Sequence, residues 1–470
     1  MAVRSIAILP FRRLDTKSSE DEYLGVGLAD ALITNLGNIQ QLVVRPTSAV
    51  LRYNRPDQDP MVAGREQGVD ALMEGTIQKS GQRLRLSVRL LRVRDGVSLW
   101  AAKYDEDFSD VFRLQDSIAE QATRALLLKL SGEERLRLAR RPTDNVEAYQ
   151  LYLQGRYHWN KFGEAGFRKA IEYYEKALKL DPNYALAYAG ISNSHSGLVA
   201  IGALPYALGY PKARAAAERA VALDNGLAEA HESLGAARLL LEWDWDAGER
   251  ELKRVIELNP NIAGVWSLAG YARQMRGKTK EAIELTRKGV QLDPLSALLR
   301  VDLSSAYYFD RQWDRAIEEY EKALELDPAF LATSFVAGQA LERKGDSAGA
   351  VARCEKAIKA QGRDPSLLSA LGYAHASAGH RREAAALARE LEARHAKQPF
   401  NPTLLGILYA GMGERERALR WLERAYAEHD VQLAWFNLEP QADPLRDDPR
   451  FADLMRRMRL VTNSASASPR

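Results

Sequence analysis

The sequence has one cysteine and no long apolar run, and these two absences exclude several classes of protein. Cys354 alone cannot form an internal disulfide or a cysteine zinc site. No stretch reaches the roughly 20 apolar residues that a membrane helix needs. The opening apolar run ends at Pro10, too early for a secretory signal. We therefore expect a cytoplasmic chain, with a periplasmic location as the alternative if these residues are a fragment of a membrane-bound regulator.

The sequence also lacks the short motifs of the common enzyme classes. It contains no G-x-S-x-G nucleophile elbow and no Walker A loop. Its seven histidines are scattered, and His231 begins an H-E-x-x-H pattern that ends on Gly235. Gly25-Val26-Gly27 lacks the third glycine of a dinucleotide loop and lies inside a helical pattern. We therefore predict no catalytic, cofactor or metal site, and a protein that is not an enzyme.

The charge balance gives no reason to expect a polyanionic partner. Lys plus Arg number 66 and Asp plus Glu 63, which leaves a net charge of +3. Arg83, Arg85 and Arg89 form a basic series, but they alternate with apolar residues, as on the solvated face of a half-buried strand. Stacking aromatics, which readers of single-stranded nucleic acid use, are missing from this strand. The sequence thus predicts no nucleic-acid partner through this chain.

The sequence does contain an internal repeat with a regular spacing. Asp-Pro or Asn-Pro dipeptides, with Asp224-Asn225 once in the same place, recur at spacings of 43, 35, 34, 34, 37 and 37 residues. Small residues such as Ala282 and Ala316 stand at a fixed distance before these anchors, and small side chains let two helices approach closely. The segments between them, such as AIEEYEKALEL, have the apolar spacing of amphipathic helices. Each unit is therefore predicted to be helix, turn, helix, turn.

This combination of small, aromatic and Pro positions resembles the tetratricopeptide repeat family. The resemblance covers residues 148–430 as about eight units and implies an all-α superhelix with a concave groove. Residues 431–460 are predicted to cap the array, and residues 461–470 to be a disordered tail. One unit has nine extra residues, and its segment AIGALPYALGYP predicts a longer loop between the two helices.

By the same resemblance, the first helix of each unit lines the groove, and its inward positions can be assigned. Because these positions are rich in aromatics and poor in charge, they suit an apolar peptide or an amphipathic helix. The predicted partner-binding residues are Tyr271, Met275, Tyr308, Phe309, Phe335, Gln339, Arg343 and Tyr373. We expect replacement of Tyr308 and Phe309 by Ala to weaken partner binding and leave the fold intact. For any one aromatic, the alternative is packing against a neighbouring repeat.

Residues 1–130 follow a different pattern. Short apolar or alternating runs, three of them separated by Ser80-Gly81 and Asp95-Gly96 turns, predict strands, and periodic segments predict helices. The result is a small α+β domain, joined to the repeats by a charged linker over 131–147. The succession of ILPF, YLGVGLADALI, VDALMEGTI, DGVSLW and DVFRLQDSIA resembles the TolB-like or FlgO-like amino-terminal domain. Together with the repeats, it resembles the carboxy-terminal half of CadC-like winged-helix regulators.

These features predict a non-enzymatic scaffold or sensor in bacterial signalling that binds a protein or peptide segment in the groove. A small-molecule ligand at the junction of the two regions would bias their relative orientation. The alternative is the sensory half of a transcription regulator, or of a signalling kinase or cyclase, whose effector domain is absent from this chain.

Overall fold

A computed structural model describes residues 3–14, 23–55, 58–81, 83–107, 109, 111–128, 130–138, 141–161, 163–327, 335–398 and 400–460. An amino-terminal sheet region precedes a long run of helices, as the sequence predicts. The predicted disordered tail over 461–470 lies outside the described residues.

The amino-terminal region is built on one mixed sheet. Its strands are β1 (Ser5–Ile8), β2 (Arg12–Arg13), β3 (Val43–Val44), β4 (Ala71–Ser80), β5 (Arg83–Arg92) and β6 (Ser98–Asp107). Their order in the sheet is β3-β1-β4-β5-β6, with β2 also beside β4. Strand β1 pairs in parallel with β3 and β4, whereas β4, β5 and β6 form an antiparallel meander. The helices are α1 (Tyr23–Gly37), α2 (Thr47–Val50), α3 (Pro60–Glu66) and α4 (Val111–Ala125).

The alternation in β5 has the predicted structural cause. Its leucines and valine are buried, while Arg83, Arg85 and Arg89 are exposed. Arg83 and Arg85 pair with Asp105 of β6, at 2.9 and 3.1 Å, and Arg89 pairs with Glu74 of β4. The arginines are therefore neutralised by neighbouring strands.

The glycine pair in α1 serves packing. A Cβ atom at Gly25 would lie 2.2 Å from the main-chain oxygen of Phe11, and one at Gly27 would lie 3.2 Å from the Leu153 side chain. Helix α1 can therefore approach both the sheet and the repeat array closely because these positions have no side chain. Gly25-Val26-Gly27 lies inside the helix, as the pattern indicates.

The repeat region contains eight successive helix pairs within the described residues, which confirms the predicted α-solenoid. Helix α5 (Gly132–Leu138) lies in the linker. The pairs are α6 (Val146–Trp159) with α7 (Gly163–Leu180), α8 (Ala185–Ala200) with α9 (Tyr206–Leu223), α10 (Ala228–Ala236) with α11 (Trp245–Leu258), α12 (Ala263–Met275) with α13 (Thr279–Leu292), α14 (Ala297–Phe309) with α15 (Trp313–Leu326), α16 (Phe335–Arg343) with α17 (Ser347–Gln361), α18 (Pro365–Ser377) with α19 (Arg381–Lys397), and α20 (Thr403–Gly411) with α21 (Arg415–Ala427). A carboxy-terminal segment follows with α22 (Leu433–Phe436), a 3-10 turn (Pro440–Leu445) and α23 (Pro449–Arg457).

Small residues form the seams between paired helices, as the period predicts. Ala316 is fully buried, and its main-chain oxygen accepts a hydrogen bond from the Ser304 hydroxyl at 2.7 Å. A Cβ atom at Gly270 would lie 3.0 Å from the main-chain oxygen of Ala282. Larger side chains at these positions would push the two helices apart.

The predicted longer loop in AIGALPYALGYP is confirmed in part. Residues 201–205 join α8 to α9, whereas residues 276–278 join α12 to α13, and the longer loop includes Gly202 with a φ of +73°. Most of the additional residues instead lengthen α8 and α9. Pro211 lies inside α9 near its amino-terminal end, where it removes one helical hydrogen bond.

Candidate partner-binding groove and domain junction

The predicted groove residues all lie on first helices of four consecutive pairs, namely α12, α14, α16 and α18. Most of them are buried: Met275 and Tyr308 are 1% and 0% exposed, and Tyr271, Gln339 and Tyr373 are 6% to 7% exposed. Phe309 and Arg343 are partly buried. The side chain of Phe335 lies outside the described part of the structure. The groove is therefore covered, and the covering residues come from the same chain.

Trp435 in the carboxy-terminal segment covers the aromatic part of the groove. Its ring centroid lies 4.4 Å from that of Tyr271 on α12 and 5.9 Å from that of Phe309 on α14. The Tyr308 ring stands edge-on to Phe309 at 5.2 Å. Aromatic pairs at these separations attract one another beyond the area that they bury. The groove thus holds a short helix through an aromatic side chain.

Glu439 covers the polar part of the groove, four residues further along. The Tyr308 hydroxyl donates to its carboxylate at 3.1 Å, and the Arg446 guanidinium donates to its main-chain oxygen at 3.2 Å. The carboxyl group is 4% exposed, and burial raises its pKa to about 8, an effect that Tyr308 and Arg343 oppose. Glu439 is therefore largely protonated at neutral pH.

Several polar atoms at this contact have no hydrogen-bond partner among the described residues. They are Tyr271 Oη, Gln339 Oε1 and Arg343 Nε. The other end of the Arg343 guanidinium donates to the Tyr373 hydroxyl at 2.8 Å. Because a buried polar atom without a partner costs free energy, the segment fills the groove without satisfying it.

The carboxy-terminal part of the chain also contacts the early repeats. The His429 ring stacks between two aromatic rings. Its centroid lies 4.3 Å from that of Tyr206 of α9 and 4.8 Å from that of Trp243. The indole of Trp245 donates to the main-chain oxygen of Met458 at 2.9 Å. These contacts bring the carboxy-terminal end of the array against its second and third helix pairs.

The expectation that Tyr308 can be replaced without affecting the fold is wrong. Its side chain is fully buried between Phe309, Trp313 and Glu439, so its removal would leave a cavity. Trp435 and Glu439 were missed at the sequence level. The apolar stretch LAWF after residue 430 is the signal that could have indicated them, but nothing in it specifies that it folds back into the groove.

A second contact region joins the amino-terminal sheet and its helices (the α/β layer) to the array of helix pairs. Arg156 of α6 donates to both carboxylate oxygens of Asp30 of α1, at 3.0 and 2.9 Å, and the Thr47 hydroxyl donates to the same carboxylate at 2.5 Å. The Asp30 side chain is 5% exposed. A bidentate pair with an additional donor is the geometry that compensates best for burying a charge.

Two further residues connect this layer to turns between repeat units. Asn261 donates to the main-chain oxygens of Gly37 and Leu42, at 2.9 and 3.0 Å, and accepts from the Val44 amide at 3.1 Å. Arg45 donates to two main-chain oxygens at the end of α13, at 2.6 and 2.8 Å. From the sequence, the Asn259-Pro260 anchor indicates only a turn. The contact of the neighbouring Asn261 with the α/β layer was therefore not predicted.

The junction contains a half-open cavity of about 320 Å³ lined by both regions. Its charged lining includes the Asp30–Arg156 pair together with Glu229, Glu232 and Asp293. Burial, and then the neighbouring Glu229, raise the pKa of Glu232 to about 7. Burial also raises the pKa of Asp293, whose carboxylate accepts from Ser48 at 2.7 Å. The cavity is large enough for a small polar molecule.

The remaining residues singled out by the sequence have structural surroundings. Cys354 is 2% exposed, and burial raises the pKa of its thiol to about 11, so the thiol is not activated. His231 is buried with Nδ1 2.6 Å from Glu251. Asp244 caps the start of α11 by accepting from the Ala247 amide at 3.2 Å. Along the described ranges, no helix has both the length and the apolarity needed to cross a membrane.

Comparison with family models supports the division into two regions. The model "HilA/YgeH-like transcriptional regulator, second domain" matches residues 2–121. Tetratricopeptide repeat models match residues 167–184 and 301–365. The helical region therefore contains tetratricopeptide repeats, as predicted, and the amino-terminal region is similar to a regulator domain. The more specific TolB-like resemblance is not confirmed.

Two curated relatives match part of the chain. The chain is 31% identical over 189 residues to "Putative adenylate cyclase 3" of Rhizobium meliloti, an alignment that covers 40% of this chain and 32% of the relative. It is 21% identical over 174 residues to the transcriptional regulator HilA of Salmonella typhimurium, with coverage of 37% and 31%. The chain thus spans about a third of the length of these relatives.

Parts of solved structures are also similar to this chain. The crystal structure of MamA is 26% identical, with a TM-score of 0.28, and the match covers 37% of this chain and 94% of that one. A thermophilic TPR protein of Thermus thermophilus, TTC0263, is 19% identical with a TM-score of 0.35, and the coverage is 41% and 98%.

Proposed function

We propose that this chain is a non-enzymatic scaffold or sensor in bacterial signalling, and that it binds a protein segment in the groove of its repeats. The observation that supports this proposal is the packing of Trp435 of α22 on Tyr271 of α12 and Phe309 of α14, because a segment of the chain thereby lies against the predicted groove residues. The proposed groove residues are those predicted from the sequence. Phe309 and Arg343 retain enough exposure to meet a partner first.

The proposal extends to the role of the chain in a larger system. The matching model names a second domain of transcriptional regulators, and two-thirds of each curated relative lies outside the alignment. This favours the alternative in which these residues are the sensory half of a winged-helix regulator, or of a signalling kinase or cyclase. Immunoblotting of the native protein would separate the two cases. A mass near 52.5 kDa favours the free scaffold, and a mass larger by a domain favours the regulator.

A small molecule in the junction cavity is proposed as the input to such a sensor. The cavity is lined by both regions, so a bound molecule would favour one relative orientation over another. No nucleic-acid surface is proposed, since Arg83, Arg85 and Arg89 are engaged by carboxylates. The cytoplasmic location, with the periplasmic alternative, remains part of the proposal.

Affinity capture from source cells tests groove binding. The full chain is compared with Phe309→Ala, Arg343→Ala and the control Leu208→Ala, which removes an apolar side chain that is 59% exposed outside the groove. We expect the same partner with the unmodified chain and the control, and at least a tenfold loss with both groove variants. Equal recovery with all four chains would contradict the proposal.

A further inference from the structure

We infer that Trp435 and Glu439 occupy the place of the partner in the free chain, and that the partner is a segment with an aromatic residue on a short helical turn, followed four positions later by a carboxyl group in extended backbone. This inference rests on the proposed groove function and adds the chemistry of the partner. It also makes the carboxy-terminal segment an internal competitor that the partner must displace.

The first step is that α22 has two separable faces. Leu433 and Phe436 are fully buried, and α22 packs against α20 and α21 of the last repeat, although the same buried cluster extends to Tyr271 and Met275 of α12. Trp435, on the same helix, is only partly buried, and its ring contacts Tyr271 and Phe309 of distant units. The groove contact can therefore be lost while the helix stays attached to the end of the array.

The second step is that the internal segment leaves binding capacity unused. Glu439 has no ion pair among the described residues, although Arg343 is close enough to lower its pKa. Gln339 Oε1 and Tyr271 Oη have no hydrogen-bond partner in that range, and Arg343 Nε has an ion pair with Glu342 of its own helix at 3.6 Å. A partner carboxylate entering from solvent can pair with Arg343, whose side chain is 25% exposed. The groove should therefore bind a well-fitted partner more strongly than it binds its own segment.

The third step is that other contacts keep the segment in place during the exchange. The Trp245–Met458 hydrogen bond and the buried residues Phe451 and Leu454 lie beyond Glu439 in the chain. On the other side, His429 is held between two aromatic rings. Because both ends are anchored, the internal segment acts at a high effective concentration and would return when the partner leaves.

The test uses a fluorescent peptide of residues 431–446 (VQLAWFNLEPQADPLR) and full-length chains, with binding measured by anisotropy. Trp435→Ala in the chain weakens the internal competitor, so we expect this variant to bind the peptide at least tenfold more tightly than the unmodified chain does. A peptide lacking the aromatic side chain (Trp435→Ala) or the carboxyl group (Glu439→Ala) should lose at least tenfold. A chain with Leu208→Ala should bind like the unmodified chain.

The inference is overturned if a folded Trp435→Ala chain, checked by circular dichroism, fails to bind the peptide. Should that variant not fold, Trp435→Leu retains an apolar side chain, and its failure to bind overturns the inference equally. Tight binding of both altered peptides would refute the proposed partner chemistry. If the peptide fails while Phe309→Ala still abolishes partner capture, the groove function stands and only the internal-competitor inference falls.

Discussion

The array contacts two other parts of the chain, and the two contacts differ in chemistry. At the junction, Asn261 makes three hydrogen bonds to the α/β layer, and Arg156 pairs with both oxygens of Asp30. In the groove, Trp435 packs between aromatic rings, while Glu439 is buried with no ion pair among the described residues. The junction is held mainly by directional hydrogen bonds and an ion pair, and the groove contact mainly by aromatic packing. At both contacts some buried polar atoms, such as Asp293 Oδ1 and Tyr271 Oη, have no hydrogen-bond partner among the described residues.

This difference distinguishes a structural contact from an exchangeable one. Main-chain hydrogen bonds from a side chain such as Asn261 are directional and would be lost together if the layer moved. Aromatic packing tolerates replacement of one ring by another, and an unpaired carboxyl group favours opening, because water solvates it better. We therefore expect the junction to set the arrangement of the two regions, and the groove contact to open more readily.

The largest effect is expected for Asp30→Ala at the junction. It leaves the partly buried Arg156 guanidinium without its carboxylate, and such losses cost about 3–5 kcal/mol of stability. Urea denaturation should show an earlier transition, and hydrogen exchange should locate it in α1. As a control, Asp105→Ala removes an exposed partner of Arg83 and should cost about 0–1 kcal/mol. Equal effects of the two substitutions would mean that the junction pair is not a structural contact.

A smaller effect is expected for Asn261→Ala. The substitution leaves the Val44 amide and the oxygens of Gly37 and Leu42 without their partner, which should cost about 1–3 kcal/mol. Faster hydrogen exchange at the Val44 amide would report the loss. Ser366→Ala, at the corresponding turn position of a later unit, is the control and should leave that exchange rate unchanged. Unchanged exchange in Asn261→Ala as well would contradict the assigned role.

The contrast between the two contacts also explains how far the sequence could be interpreted. Ala282 and Ala316 recur because every unit packs in the same way, so the period predicted the helix pairs. The groove positions Tyr271 and Tyr308 followed from the same register. The occupant of the groove did not, because Trp435 contacts residues far away in sequence and lies outside the period. Asn261 likewise appears as an ordinary turn residue until the α/β layer is placed beside it.

The pH dependence of the groove contact is the next prediction. Burial raises the pKa of Glu439 from 4.5 to about 8, so the closed form favours the protonated carboxyl group. The contribution of Glu439 to the stability of the closed groove contact is fully present below about pH 4.5. It falls as the pH rises, by at most about 1.4 kcal/mol per pH unit, until the pH passes about 8. Tyr308 and Arg343 face this group, and the pKa of each is raised, so both should remain protonated in that range. Arg446 donates to the main-chain oxygen of the same residue.

Hydrogen exchange of residues 433–439 measures this opening as a function of pH, after correction for the intrinsic exchange rate. We expect the opening to increase from pH 5 to about pH 8 in the unmodified chain. Glu439→Gln keeps the size of the side chain and removes its titration, so the increase should be absent. If both chains show the same pH dependence, another group controls the contact, and His429 would be the first to test, since burial lowers its pKa.

The smallest effect on stability is expected for Phe309→Ala. Its ring is partly exposed, and the ring centroids of Phe309 and Trp435 are 5.9 Å apart. Loss of this aromatic pair should cost about 0.5–1.5 kcal/mol beyond the area that it buries. Tyr308→Ala should cost more, about 3–5 kcal/mol, because that side chain is fully buried. Thermal denaturation compares the two substitutions.

If the groove contact is exchangeable, Phe309→Ala should leave the melting temperature nearly unchanged. Because the contact then opens more often, hydrogen exchange near Trp435 should be faster. A large drop in melting temperature would instead indicate that the groove contact is as structural as the junction.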